Sequence, residues 1–145
     1  MAAIVSLQVI EHLWDVPRYL AELARCTRGP VIISTPNRPV HSPGLRRGER
    51  PINPFHVREF DERELRDELL AVAPGSVVVH GLHHGPVIGD WEARFGSLPA
   101  ALLSEDDEVR GVAEEFAEHL SAGDFIITND DAAIAHDLIA WWEPA

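Results

Sequence analysis

Met1-Ala2-Ala3-Ile4-Val5-Ser6-Leu7 and Val31-Ile32-Ile33-Ser34-Thr35 are the two stretches that decide the fold. The first reads as a buried strand almost from its first residue. The second is mainly β-branched and shows no polar alternation, the pattern of a central parallel strand covered on both faces. Between them, Asp15 can cap a helix that carries Pro17 in its first turn. Val16, Tyr19, Leu20 and Leu23 repeat at helical spacing to about Cys26, and Gly29-Pro30 stops the run. Strand, helix, strand within about 35 residues is one βαβ unit.

Working outward, residues 36–60 form a long connection holding Pro36, Pro39, Pro43, Pro51 and Pro54, and a loop of that length in a compact domain is read as functional. Asp61 with Glu64 three residues later is a capping box that opens a helix bearing Leu65, Leu69 and Val72, ended by Pro74-Gly75. Ser76 to Leu82 makes the next strand, and a polar helix over Glu105 to Leu120 carries Val109, Ala113, Phe116 and Leu120 as its stripe. Ile126-Ile127 and Asp137 to Trp142 read as closing strands. The order β-α-β-α-β-α-β predicts one α/β layered domain over residues 1–145.

The 145 residues match one domain, and 46% hydrophobic with 25% charged residues is globular composition. No apolar run approaches the roughly 20 residues that span a bilayer. Twenty-four acids against twelve Lys and Arg leave −12, which repels a phosphate backbone and an anionic membrane surface; small neutral or cationic substrates fit better. One cysteine, Cys26, makes no intramolecular disulfide, so a reducing cytoplasm is expected.

In an open α/β sheet, ligands sit beyond the carboxyl ends of the strands, where Ser6-Leu7-Gln8-Val9-Ile10-Glu11-His12 and Thr35-Pro36-Asn37-Arg38 lie. Glu11 and His12 set an acid beside an imidazole, a pair that can bind a divalent cation, orient a base, or merely cap and hydrogen-bond to a loop. His56, in Asn53-Pro54-Phe55-His56-Val57-Arg58-Glu59-Phe60, closes the long loop, where a general base could reach a pocket; a solvated loop histidine is the plainer alternative.

Taken together, Val5-Ser6-Leu7-Gln8-Val9-Ile10-Glu11-His12-Leu13, a helix, and Ile33-Ser34-Thr35-Pro36-Asn37 resemble the second half of a class I S-adenosylmethionine-dependent methyltransferase domain, over about residues 2 to 82 and more loosely beyond. Adding Ser42-Pro43-Gly44, the Asn53 to Phe60 segment and His80-Gly81-Leu82-His83-His84-Gly85-Pro86, the pattern looks most like the mycofactocin oligosaccharide methyltransferases, which O-methylate a sugar. The resemblance implies a Rossmann-like sheet lacking its first three strands, with an antiparallel last strand at Asp137 to Trp142 and a substrate loop at 36–60. Residue by residue it implies that Ser6, Leu7 and Gln8 border S-adenosylmethionine. It further implies a glycosylated small-molecule acceptor, with no nucleic-acid or membrane partner.

The glycine-rich turn and ribose-binding acid of that family have no counterpart here, and Gly81 to Gly89 lies too far downstream to substitute. The first strand matches the family's fourth. The expectation is therefore a coding sequence upstream of Met1 that carries a Gly-x-Gly-type turn, or else a half-domain that dimerises or pairs with an N-terminal partner. Small-RNA 2′-O-methyltransferases of the same superfamily hold a metal with a Glu-x-x-Glu-His element and a later histidine. Here Glu11, His12 and His56 match in order while Gln8 replaces the first Glu, which lowers the charge a hard cation wants; metal dependence is therefore not the expectation.

The expected mechanism has His56 as general base toward a sugar hydroxyl, with Glu11 and His12 orienting it or the substrate. Asn53 and Arg58 can hydrogen-bond sugar hydroxyls, Arg58 having surface pairing with Glu59 or Glu62 as its alternative. His83 and His84 are expected along the acceptor cleft rather than in a metal cluster with His80, since adjacent strand residues face apart. Trp14, Trp91, Trp141 and Trp142 can stack on sugar faces, with core packing expected for most. A small-molecule or quinone-precursor O-methyltransferase is the enzymatic alternative.

Overall fold

The computed structural model describes residues 2–145, which form two compact units: residues up to Leu82 together with Ile127–Ala145, and His83–Ile126. The first unit is built on the βαβ unit expected from the sequence. Strand β1 (Ile4–Leu7) pairs in parallel with β2 (Val31–Pro36), Ile4 facing Val31 and Leu7 facing Ser34. Between them α1 (Val16–Cys26) starts where Asp15 accepts a hydrogen bond from the Arg18 N–H, with Pro17 in the first turn.

The Asp61 capping box forms as the spacing predicts. Asp61 accepts from the Glu64 N–H at 2.8 Å, and the Glu64 carboxylate accepts from the Asp61 N–H at 3.2 Å, opening α3 (Glu62–Val72). Arg38 locks this helix start from below. Its buried guanidinium pairs with Asp61 at 2.7 Å and Glu64 at 2.9 Å, and donates to the Leu45 carbonyl. The 36–60 connection is not wholly irregular, since Arg38–His41 makes a one-turn helix, α2, with Pro39 in its first turn. An isolated parallel bridge from Asn37 to Phe60 closes the connection at its base.

Strand β3 (Gly75–His84) runs two residues beyond the expected Leu82, and β5 (Asp137–Pro144) lies between β2 and β3, antiparallel to both. With β4 (Phe125–Thr128) the sheet order is β1-β2-β5-β3-β4, so the expected antiparallel last strand is present and most pairings are antiparallel. The sheet is thus a mixed α/β sheet, consistent with the Rossmann-like architecture expected from the sequence. Gly75 is required where β3 meets β5, because a Cβ there would collide with the Glu143 carbonyl. Ile10, Leu20, Ile33, Phe60, Leu65 and Trp142 are fully buried in one core of this unit. Val31 and Ile33 of β2 join Leu20 of α1 and Leu65 and Leu69 of α3 in this core.

In the second unit, α4 (Pro86–Phe95) and α5 (Leu98–Leu102) occupy residues that the sequence reading left as connection. Pro86 sits in the first turn of α4, where proline is tolerated. Helix α6 (Asp107–Ala117) is capped by Asp106 and is shorter at both ends than the Glu105 to Leu120 span expected. Ile88, Trp91, Leu98, Ala101 and Ala113 form a separate core, with Phe116 stacked on Trp91 at 5.2 Å. Among the described residues, no helix is long and apolar enough to cross a membrane.

Candidate active site

The site begins at the carboxyl end of β1. Gln8 turns the chain there with a φ of 53°, a left-handed conformation that costs a non-glycine residue roughly 1–2 kcal/mol. Its N–H donates to the Ser34 carbonyl at 3.1 Å, and its side-chain amide reaches the Ser34 hydroxyl at 3.3 Å. That turn delivers a short 3-10 helix, Ile10–His12, which drops Ile10 into the core and places Glu11 and His12 over the strand ends.

The Asn53 to Phe60 segment is strapped onto this turn through its backbone. The Glu11 carbonyl accepts from the N–H groups of Val57 (2.7 Å) and Arg58 (3.3 Å). An Asx turn, in which Asn53 Oδ1 accepts from the Phe55 N–H at 3.0 Å, shapes the approach. His56 is thereby carried from the loop to His12, their rings edge to face with centroids 5.1 Å apart. His56 is not a solvated loop residue: its side chain is only 8% exposed.

Each histidine has one ring nitrogen committed. His12 Nδ1 lies 2.9 Å from the Phe55 carbonyl, and His56 Nδ1 lies 2.7 Å from a Glu59 carboxylate oxygen. Both partners only accept, so both Nδ1 atoms carry a proton, and in the neutral form of each ring Nε2 presents a lone pair. His12 Nε2 is 3.7 Å from Glu11 Oε1. His56 Nε2 sits 3.0 Å from Asn53 Nδ2, which donates to it. The other Glu11 oxygen accepts from the Thr35 hydroxyl at 3.3 Å, whereas Oε1 is buried with no hydrogen-bond partner. Burial holds the Glu11 carboxyl above its ordinary range, against its backbone hydrogen bond and the charges of His12 and His56.

One ligand atom each from Glu11, His12 and His56 lies within 4.8 Å of the other two. Two imidazoles with their second nitrogens anchored, and a carboxylate with one oxygen held and one open, fit a divalent cation as a three-ligand face. The same lone pairs fit a base that takes a proton from a hydroxyl. Around them, Arg58 pairs with Glu68 at 2.6 Å rather than with Glu59 or Glu62, and stacks over Phe60 at 4.4 Å. With Arg47 and Glu64 it lines an open cleft of about 360 Å³.

Of the other expected residues, Ser6 is buried with its hydroxyl 2.9 Å from that of Tyr19, and Leu7 is exposed. Asn53 spends its amide on Phe55 and His56. His83 and His84 end β3 in the second unit, where His84 Nδ1 meets Glu92 at 3.1 Å and its ring stands edge-on to Phe125. Trp91 and Trp142 are core residues, while Trp14 stands 89% exposed. Thr35 lies in the Thr35 to Arg38 stretch marked from the sequence at the strand ends, whereas the roles of Glu59 and His41 were missed. Burial would depress His41, but its ion pair with Asp137 at 3.5 Å and the charge of Glu59 outweigh this and raise it. The sequence signal for Glu59 was an acid three residues after His56.

Fold and site together define a mixed α/β sheet with an acid and two histidines gathered at its strand ends. A probable S-adenosylmethionine-dependent methyltransferase of Mycobacterium tuberculosis, present in two strains, is 46% identical over 95 residues, covering 64% of this chain and 34% of the relative. A probable S-adenosylmethionine-dependent methyltransferase of Mycolicibacterium smegmatis is 38% identical over 132 residues, 88% of this chain and 48% of the relative. The chain spans between a third and a half of the length of these curated relatives. No protein-family model matches it.

Proposed function

We propose that this chain is the acceptor-side half of an S-adenosylmethionine-dependent O-methyltransferase that methylates a sugar hydroxyl of the mycofactocin oligosaccharide. The reading rests on one observation above others: one possible ligand atom each of Glu11, His12 and His56 lies within 4.8 Å of the other two at the strand ends. The names of the mycobacterial relatives support the cofactor, and the resemblance of the Asn53 to Phe60 segment supports the acceptor. The net charge of −12 suits a neutral glycosylated acceptor and opposes RNA. We place the protein in a reducing cytoplasm, consistent with a single cysteine.

Bound S-adenosylmethionine supplies an electrophilic methyl group on a sulfonium. Ser6, Leu7 and Gln8 border it. Once Asn53 releases His56 Nε2, that nitrogen would take the proton lost by the hydroxyl, whose oxygen gains the methyl group as the donor's S–CH₃ bond breaks and a neutral thioether leaves. Glu59 and the Phe55 carbonyl keep the two rings in the required tautomers, and Glu11 with Thr35 orients them. Arg58 and the cleft beside it hold the sugar.

A second reading is favoured by Glu11 Oε1, which is buried without a partner and is costly to leave so. Here Glu11, His12 and His56 hold a divalent cation, which supplies Lewis-acid activation of the hydroxyl. Exhaustive chelation separates the two. Methyl transfer that survives leaves His56 as the base, and transfer that vanishes and returns with added metal assigns the site to a cation. Transfer to a quinone precursor and not to the oligosaccharide would replace the acceptor.

A further inference from the structure

His56 carries the chemistry in either reading only if its Nε2 lone pair points toward Glu11 and His12. A free imidazole in water favours the opposite tautomer, with the proton on Nε2. Two groups oppose that preference: Asn53, whose Nδ2 donates to Nε2 at 3.0 Å, and Glu59, whose Oε1 accepts from Nδ1 at 2.7 Å and whose side chain is fully buried. Of the two, Asn53 must leave when Nε2 works, so Glu59 is the one that can hold the tautomer throughout. The second Glu59 oxygen is also buried, and no hydrogen bond engages it. A carboxylate withdrawn from water for a single hydrogen bond is costly, so packing alone does not account for it.

Three further features make Glu59 specific to this task. It lies three residues after His56 in a segment whose backbone is clamped to the Glu11 carbonyl through Val57 and Arg58, so its reach to Nδ1 is set by the clamp. The adjacent Arg58 turns away to Glu68 and Phe60 and leaves the Glu59 charge to the histidines. His41, paired with Asp137, feels that charge from the opposite side.

Resting on the reading of His56 given above, we infer that Glu59 is a positioning residue: its buried carboxylate holds the Nδ1–H tautomer of His56 and so aims Nε2 into the Glu11–His12 cluster. Glu59 touches neither substrate nor cofactor and acts through His56 alone.

Ring ¹⁵N spectra of the 145-residue chain test this directly, recorded in alkaline buffer where free imidazole is neutral, with His56 assigned by its loss in His56→Gln. The wild-type chain should show His56 protonated on Nδ1. Glu59→Gln, whose amide oxygen can still accept, should keep that tautomer. Glu59→Met, similar in length but without an acceptor, should shift His56 toward Nε2–H. In the cation reading, Glu59→Met should also weaken cobalt(II) binding by about 10–100-fold, the usual loss for a partner of a ligating histidine. A wild-type spectrum with the proton on Nε2, or a Glu59→Met spectrum unchanged from wild type, would overturn the inference. The wild-type spectrum decides the matter without any variant. It is also independent of methyl transfer: a chain that fails to methylate yet shows Nδ1–H would lose the proposed function and keep this role for Glu59.

Discussion

Replacing Glu11 by Gln should make the metal-free chain more stable. Glu11 is fully buried, one of its oxygens has only the Thr35 hydroxyl, and the other has no hydrogen-bond partner. A buried acceptor left unsatisfied costs about 1–3 kcal/mol, and more when charged. Gln keeps the volume and an oxygen for Thr35, removes the charge, and offers an N–H to the His12 lone pair. The expected gain is therefore about 1–3 kcal/mol at neutral pH, or roughly 3–12 °C in Tm for a chain of this size. The pH dependence has a definite sign. Burial raises the folded-state Glu11 above its unfolded value, so the folded state binds more protons in the window between the two. Wild-type stability should be fullest below the ordinary carboxylate range and fall as pH rises through the raised value, and Glu11→Gln should lack that fall. Thermal and urea melts of both chains in chelated buffer, at acid and neutral pH, measure this. Equal stabilities at neutral pH, or a Gln variant less stable than wild type, would refute the argument that Oε1 is held open at a cost.

Three other outcomes follow from the same geometry. In a chimera of the M. smegmatis relative carrying this chain in place of its matching segment, His56→Ala should lower turnover by about 10²–10⁴-fold with cofactor affinity nearly unchanged, as separate turnover and binding measurements would show. The isolated 145-residue chain should bind S-adenosylmethionine feebly by calorimetry, since Ser6 to Gln8 only border the cofactor; micromolar binding contradicts this. Asp61→Ala removes the α3 cap and one partner of buried Arg38, and should cost at least the ~1 kcal/mol of a lost cap in urea unfolding.

Much of the fold could be read locally. The β1-α1-β2 unit and the Asp61–Glu64 box depend on residues within a few positions of one another, and both formed where expected. Helices α4 and α5 escaped because Gly85-Pro86 and Ser97-Leu98-Pro99 carry turn-forming residues that serve equally in a first helical turn. Glu11, His12 and His56 were legible as types in an order, which is why a shared site was foreseeable. Their tautomers were not, because these depend on Phe55 and Glu59 reaching them across a loop closed by two backbone hydrogen bonds to Glu11. Asn53 and Arg58 look like sugar ligands in sequence, yet each has nearer partners that only the folded loop brings within reach.

The central claim is that Glu11, His12 and His56 serve methyl transfer to a sugar hydroxyl. Isotope-labelled S-adenosylmethionine, the mycofactocin oligosaccharide and the chimera test it together, with mass spectrometry of the acceptor as readout. The account predicts one labelled methyl on a sugar oxygen, with transfer strongly reduced by Glu11→Gln and by His56→Ala. An acceptor that stays unlabelled, or label transferred at the unsubstituted chimera's rate by both variants, would contradict it.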